Sequence, residues 1–369
     1  MSDCSQDKIA SVVWERRILS CAAIVLCALL GMWGCLAIYS TRIAALREWD
    51  FLGRQIVFLA AGLPVLVIAW RIPFRYYRKY GFLLGLLALA SLVAVLFFGR
   101  KVNGMAGWFE PFSWLQVQPS ELAKPLYLLM MVMIWKKLSR YGEWPAVLGV
   151  ACCALAFAIP VALEPDYGSA GIFLMITAIF LVCAGFSWKK LVTALVLVAV
   201  LAAPVVWMRH TVIVDRVMAV FGVDPQGAGW HVQQFQLAIA RGGWTGSKLG
   251  NTVWTENYLP LAHNDSIFAS MAETLGFLGT LPLLVMLALL VLVLVRLAMD
   301  CRDNGSRVLV ATSAFLLALQ ALLHISVNAT LLPPTGLSLP LISYGGSSLL
   351  GTLILVGMAL SAAEGENPE

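Results

Sequence analysis

The chain has 369 residues, of which 60% are apolar and only 12% charged, and its mean hydropathy is +0.86. A soluble globular domain carries about half apolar and a quarter charged residues, so the composition excludes that class and points to an integral membrane protein. The net charge of +5 arises from short Lys and Arg clusters between apolar runs, which suits lipid headgroups and not nucleic acid.

A helix needs roughly 20 apolar residues to cross the hydrocarbon core. In chain order, such runs fall at 18–39, 51–70, 81–99, 120–138, 145–163, 168–186, 190–208, 266–298, 307–329 and 345–362. They predict an all-α integral membrane protein with ten transmembrane helices and one large extracytoplasmic loop between helices 7 and 8. Met1 to Trp14 is polar and the run from Ile18 is too long for a signal-peptide core, so the first segment is expected to stay as a helix. No linker or internal repeat divides the chain, and a single polytopic domain over 1–369 is expected. Of the eight cysteines, Cys21, Cys27, Cys35, Cys152, Cys153 and Cys183 lie inside apolar runs and read as small core residues; Cys4 and Cys301 lie outside them.

The connections alternate in charge. One side collects Lys8, Arg16, Arg17, Arg71, Arg75, Arg78, Lys79, Lys136, Lys137, Arg140, Lys189, Lys190, Arg296, Arg302 and Arg307, fifteen of the 25 basic residues. By the positive-inside rule that side is cytoplasmic. Residues 1–17 and the tail 363–369 are then expected inside, and the loop 209–265 outside. Within this loop, "VIVDRVMAVF" at 212–221 and "HVQQFQLAIA" at 231–240 have the mixed polarity of helices lying at an interface.

Polar residues inside a membrane are costly and suggest function. Here they gather at the outer helix mouths: Arg54 and Gln55 before the second span, Gln118, Ser120, Glu121 and Lys124 at the fourth, Glu164 and Asp166 in the turn before the sixth, Asp265 at the eighth with Glu273 deeper, and Ser343, Tyr344, Ser347 and Ser348 at the tenth. Together they predict a cavity open to the outside. Simpler roles stand beside this one. Glu121 and Lys124 share a helix face and can neutralise each other; Asp166 can cap a helix; Arg54 can snorkel to headgroups. Asp265 can cap as well, although Asn264 beside it would do so equally, which makes an acid more than capping requires. The His263-to-Asp265 spacing matches no familiar zinc motif. Neither "GGWTGSKLGN" (242–251) nor "SYGGSS" (343–348) fits its nearest motif, a phosphate loop and a hydrolase elbow respectively.

The segments "VNGMAGW", "QPSELAK", "EPDYGSA", "DPQGAGWHVQQFQLAIARGGWTG", "YLPLAHNDSIFASMAETLGFLG" and "LLPPTGLSLPLISYGGSSLL" resemble, in order and spacing, those of the SEDS family, the shape, elongation, division and sporulation proteins that include RodA, FtsW and SpoVE. The resemblance runs from about residue 18 to 362. It implies ten transmembrane helices and a glycosyltransferase that polymerises lipid II, the lipid-linked disaccharide-peptide precursor, into peptidoglycan strands outside the cytoplasmic membrane. It also implies a partner, a class B penicillin-binding protein that crosslinks the strand.

By this resemblance the catalytic aspartate of the family's H-T-D-F-I-F motif falls on Asp265, its Q-P-S-E-x-x-K lysine on Lys124, its Q-P-D aspartate on Asp166 and its R-Q pair on Arg54 and Gln55. Glu121, Gln234, His263, Ser343 and Tyr344, which lie in the matching motifs, join the expected substrate-binding set. In such a reaction a sugar hydroxyl attacks an anomeric carbon that already carries a good leaving group, a lipid pyrophosphate. One base suffices, unlike the two carboxyls of a glycoside hydrolase. Lys124, Arg54 or a divalent cation, Mg²⁺ or Mn²⁺, would meet the departing charge.

The chain departs from the family pattern at a few positions. Gly107 replaces the Arg of N-G-x-x-R-W, Asn264 and Ser266 flank Asp265 where Thr and Phe are usual, Glu164 replaces a common Gln, and Thr274 replaces the second acid of an E-E pair. It is a divergent member, and "ARGGWTGSKLGNTVW" and "VNG" lean toward the FtsW branch, while "GWHVQQ" resembles RodA. Two other classes stay open from the sequence, a lipid II transporter (flippase) and an inactive scaffold that recruits the transpeptidase.

Overall fold

In the computed structural model, the described residues are 3–365 apart from 41–48, 103–104, 113–114, 208–213, 215–217, 219–227, 248–251 and 260. Helices dominate: α1 (Asp3–Ser40), α2 (Trp49–Arg71), α3 (Phe74–Phe98), α4 (Pro119–Leu138), α5 (Glu143–Leu163), α6 (Tyr167–Cys183), α7 (Trp188–Trp207), α8 (Ala228–Gly242), α9 (Val253–Asn257), α10 (Ile267–Asp300), α11 (Asn304–Asn328) and α12 (Gly346–Glu364). Each of the ten apolar runs coincides with one of these. Among the described residues seven, in α1, α2, α3, α5, α10, α11 and α12, are long and apolar enough to cross a membrane. The chain is a multi-pass membrane protein. A helix satisfies its own backbone polar groups, which is why apolar runs of this length fold this way in lipid. Of the two helices expected in the long loop, the second is α8, whereas 212–221 lies almost wholly outside the described residues.

The all-helical expectation needs one correction. Between α3 and α4 the chain forms a three-stranded antiparallel sheet, β1 (Arg100–Val102), β2 (Met105–Phe112) and β3 (Leu115–Val117), in the order β1-β2-β3. Arg100 lies opposite Trp108, and Phe109 opposite Val117. Aromatic and β-branched residues favour this pleated surface, and the segment is too short for a helical span.

The second correction concerns the eighth span. The run 266–298 exceeds what a bilayer needs, and α10 is interrupted at Gly276, whose φ of 65° and ψ of −172° are non-helical. Loop residues supply the hydrogen bonds lost at this break. Ser247 N–H donates to the Glu273 carbonyl (2.8 Å), while the N–H groups of Phe277 and Leu278 donate to the carbonyls of Gly243 (2.9 Å) and Trp244 (3.0 Å). Glycine is needed because a positive φ strains any residue with a Cβ. The break separates a span-length helix beyond it from a short outer piece bound to the loop.

Glu273, on that outer piece, is fully buried. Its carboxylate accepts from Trp254 N–H (3.0 Å), Thr255 N–H (2.7 Å) and the Thr255 hydroxyl (2.6 Å), and the Arg241 Nε stands 3.4 Å away. It therefore caps α9 from a distance, since the first amides of a helix lack internal partners. Its role is to dock the loop over the bundle.

The main core surrounds Tyr127, whose ring meets Phe157 at 4.8 Å and Phe173 edge-on at 5.1 Å, and whose hydroxyl hydrogen-bonds Thr177 at 2.5 Å. This cluster joins α4, α5 and α6. At the opposite end of α4, Lys136 donates to both oxygens of Asp303, and Asp303 caps α11 by accepting from Ser306 N–H (3.0 Å).

Replacing Glu273 with Ala strands three donors and is expected to cost about 3–5 kcal/mol. Thermal unfolding in detergent would measure it, with protease cleavage in 228–260 rising first; an unchanged midpoint would refute the docking role.

Candidate active site

Where α4, α6, α10 and α12 meet, a cavity of about 400 Å³ opens. Its wall includes Trp108 of β2, Gln118 and Glu121 at the start of α4, residues 165–169 of the α5–α6 turn, Asn264 and Asp265 before α10, Thr335 to Ser338, and Tyr344, Gly345, Ser347 and Ser348 before and within α12.

Asp265 is half-buried and precedes the α10 N-cap, which is Ser266. The capping role open to it in the sequence thus belongs to another position, and the acid itself lines the cavity. Its backbone carbonyl accepts from the Asn328 side-chain amide (3.0 Å), which also donates to the His324 carbonyl (3.0 Å), while the Asn328 Oδ1 accepts from Ala269 N–H (3.0 Å). One fully buried asparagine on α11 therefore fixes the start of α10. Opposite Asp265, Gly336 has a φ of 69°, and a methyl group there would stand 3.9 Å from the Asp265 Oδ2. A glycine is required for that backbone and leaves the carboxylate open ground.

The 337–345 segment is held from several sides. The Ser343 hydroxyl donates to the Asn264 carbonyl (3.0 Å) and accepts from Leu339 N–H (2.9 Å); Tyr344 N–H donates to the His263 carbonyl (2.9 Å). Buried Gln55 accepts from Gly345 N–H at 3.4 Å and faces the Ser343 carbonyl at 3.5 Å. Phe51, His263 and Tyr344 form a ring cluster with centroids 4.7 to 5.6 Å apart. His324 Nδ1 meets the carbonyl of Leu337 at 2.6 Å.

On the facing wall, Asp166 caps α6 by accepting from Ser169 N–H (3.0 Å) and also accepts from the Gln118 amide (3.1 Å). The capping reading holds, and this capping acid also lines the cavity. Gln118 N–H donates to the Ser347 hydroxyl (2.9 Å), joining α4 to α12. Lys124 is buried, with its ammonium 2.5 Å from a Glu121 oxygen. Of this pair only Glu121 lines the cavity.

The expected site residues thus separate. Asp265, Glu121, Asp166 and Tyr344 line the cavity, and Ser343, His263 and Lys124 stand behind its wall. Arg54 is half-buried in the first turns of α2, outside the lining. Gln234 lies elsewhere: it accepts from the Trp254 indole N–H (2.9 Å) inside the loop. Trp108, Gly336, Ser338 and Asn328 are additions. The first three lie in quoted motifs and were within reach of the sequence, whereas Asn328 carries no motif signal because its partners are distant in the chain.

Residues 20–367 match the family model of the cell cycle proteins FtsW, RodA and SpoVE. The chain belongs to this family. As a SEDS protein it is 34% identical over 329 residues to a probable peptidoglycan glycosyltransferase FtsW of Halomonas elongata, covering 85% of this chain and 81% of that one. It is 30% identical over 356 residues to the peptidoglycan glycosyltransferase MrdB of Escherichia coli K12, covering 94% of each. Its fold is similar to a chain of a peptidoglycan synthase complex that coordinates polymerization and crosslinking, with a TM-score of 0.75, 29% identity and coverage of 95% and 97%. It is also similar to the rod shape determining protein RodA of Thermus thermophilus, with a TM-score of 0.68, 27% identity and coverage of 92% and 95%. In this SEDS protein, as the geometry above has it, the altered neighbours of Asp265 matter little to its placement: Asn264 is engaged through its carbonyl, and Ser266 is fully buried at the cap.

Asn328→Ala removes the tie on the Asp265 carbonyl without touching the cavity. It is expected to lower kcat about 10²-fold, as an ångström-scale shift of a reacting group does, with KM little changed. Steady-state polymerisation assays would decide; a purely KM effect would contradict the positioning role.

Proposed function

We propose that this chain is a peptidoglycan glycosyltransferase that polymerises lipid II, with Asp265 as the general base. The observation that carries the reading is a carboxylate at the wall of an outer polar cavity, seated between the Asn328 tie and the left-handed Gly336, in a chain whose full-length relatives are named for this activity. The acceptor sugar hydroxyl gives its proton to Asp265 as its oxygen attacks the anomeric carbon, and the carbon–oxygen bond to the pyrophosphate breaks. The lipid pyrophosphate leaves with the electron pair. Proton transfer of this kind contributes typically about 10² to 10⁴ in rate.

The electrostatic support is indirect. Lys124 cancels Glu121, so the pair adds little net charge near an anionic substrate, and a neutralised buried pair costs less than a lone buried acid. Arg54 is the basic residue nearest in sequence to the Gln55 strut, and it meets the pyrophosphate once the substrate extends toward α2. Among the described residues no three His, Cys, Asp or Glu side chains converge as a metal cage. A Mg²⁺ or Mn²⁺ ion would be held in part by the substrate phosphates, the usual habit of Mg²⁺, and would offset the charge of the departing pyrophosphate.

The finer topology belongs to the same reading. α4, α6 and α7 complete ten spans with the other seven, both termini face the cytoplasm, and the loop carrying α8 and α9 lies outside, where the basic residues are fewer. A class B penicillin-binding protein is the expected partner, consistent with a structural relative described as coordinating polymerization and crosslinking. Relatives include both FtsW and MrdB, and the "ARGGWTG" motif inclines this chain to the FtsW branch.

The purified protein with its transpeptidase, incubated with lipid II and a divalent cation, is expected to yield glycan polymer, with Asp265→Ala losing at least about 10²-fold. Equal polymer from both would refute Asp265 as the base. Absence of polymer from either, with lipid II crossing liposome membranes, would establish the transporter instead.

A further inference from the structure

Glu164, at the C-cap of α5, is one of the polar groups at the helix mouths but does not line the cavity, and it is the most poorly satisfied acid near it. It is 1% exposed, and neither of its carboxyl oxygens has a hydrogen-bond partner among the described residues. A carboxylate in that state would be a buried charge with no donor to stabilise it, a far costlier situation than a buried neutral acid. Its Oε2 points at β2, where a methyl group on Gly107 would stand only 2.8 Å away. The Glu164 carboxyl therefore occupies the space that a side chain at 107 would take.

Among the described residues the surrounding charges give no compensation. Asp166, two residues on, is engaged with Ser169 and Gln118 and is of like sign. On the strands Glu110 pairs with Arg100, and on α4 Glu121 pairs with Lys124. Burial foremost, and then the charge of Asp166, push the Glu164 carboxyl up to about 8. Its chain neighbours matter because Pro165 and Asp166 line the cavity, as does Trp108 beside Gly107.

We propose that Glu164 is a proton-dependent positioning residue: as a neutral acid it fills the niche at Gly107 and keeps the Pro165–Asp166 turn and Trp108 at the cavity wall, and on ionisation it leaves the niche and displaces them. The step is a simple one, breakage of the carboxyl O–H bond with the proton passing to water. The inference rests on the glycosyltransferase reading only for its activity readout.

The sign of the linkage is definite. Because the folded-state value is raised from 4.5 to about 8, the stability contributed by the neutral carboxyl is fully present below about 4.5 and is lost as pH rises through about 8. Polymerisation by the wild type is expected to fall about tenfold per pH unit above that value. Glu164→Gln, which imitates the neutral acid, is expected to stay active and to lose this alkaline limb, and Gly107→Ala, which crowds the niche, to be impaired already at neutral pH. An alkaline limb unchanged in Glu164→Gln, or a folded but inactive Glu164→Gln at neutral pH, would overturn the proposal. Infrared spectroscopy of the wild type reads the same group without activity: a protonated-carboxyl stretch should persist at neutral pH and vanish with a midpoint of about 8. Absence of that band would overturn the proposal even where no variant folds. Its presence in a protein inactive at every pH would leave the state of Glu164 established and the glycosyltransferase reading refuted.

Discussion

The Asn328 amide holds the outer architecture together. An unpaired backbone group in a membrane protein's interior costs several kcal/mol, so the chain cannot simply stop a helix near the cavity; each free group must find a partner. Asn328 reaches three at once, the carbonyls of Asp265 and His324 and the N–H of Ala269. The entry of α10 is thereby locked to α11, and everything hung on that entry follows: Tyr344 on the His263 carbonyl, Ser343 on the Asn264 carbonyl, and Gln55 on Gly345. A carboxylate built on such a frame is preorganised, which matters more for a transferase than proximity alone.

The same constraint explains the break at Gly276. A continuous helix over all of α10 would leave its outer turns without a place in a bilayer of ordinary thickness. Breaking it frees backbone groups, and residues 243–247 occupy them, so the defect in the helix becomes the attachment point of the loop. Glu273 completes the attachment from the same stretch. The cost of a buried acid is offset there by three hydrogen bonds, whereas at Glu164 no hydrogen bond among the described residues offsets it, and the two acids accordingly differ in kind.

Much of this was legible in the sequence. The ten apolar runs each coincide with a helix, and the polar mouths of α4, α6, α10 and α12, though not that of α2, meet at one cavity. Periodicity and hydropathy failed where partners are remote. Strands β1 and β3 are three residues each and β2, with Gly107 and Pro111 inside it, shows no alternation, Gly276 sits unmarked in an apolar run, and Gln234, though in a family motif, staples the loop to itself. Asn328 shows the limit most clearly: a single amide at a helix end reads as a C-terminal cap, and only the fold reveals that it holds a residue 63 positions earlier.

The departures from the family pattern become intelligible in the same terms. Asn264 holds Ser343 through its backbone carbonyl, and Ser266 occupies the N-cap position of α10. Thr274 is buried and its hydroxyl bonds back to the Ser270 carbonyl (2.9 Å), which needs no counter-charge next to the carboxylate of Glu273. Gly107 and Glu164 are different, because they touch. A glycine in place of a cationic side chain and an acid in place of a neutral amide would each be unfavourable alone, the first emptying a space and the second burying a charge. Together they fit, provided that the acid keeps its proton, since the carboxyl then fills the space the glycine leaves. On the proposed role of Glu164, this fit would make the cavity wall depend on the proton carried there, a dependence that a chain with a fixed cation at position 107 would not have.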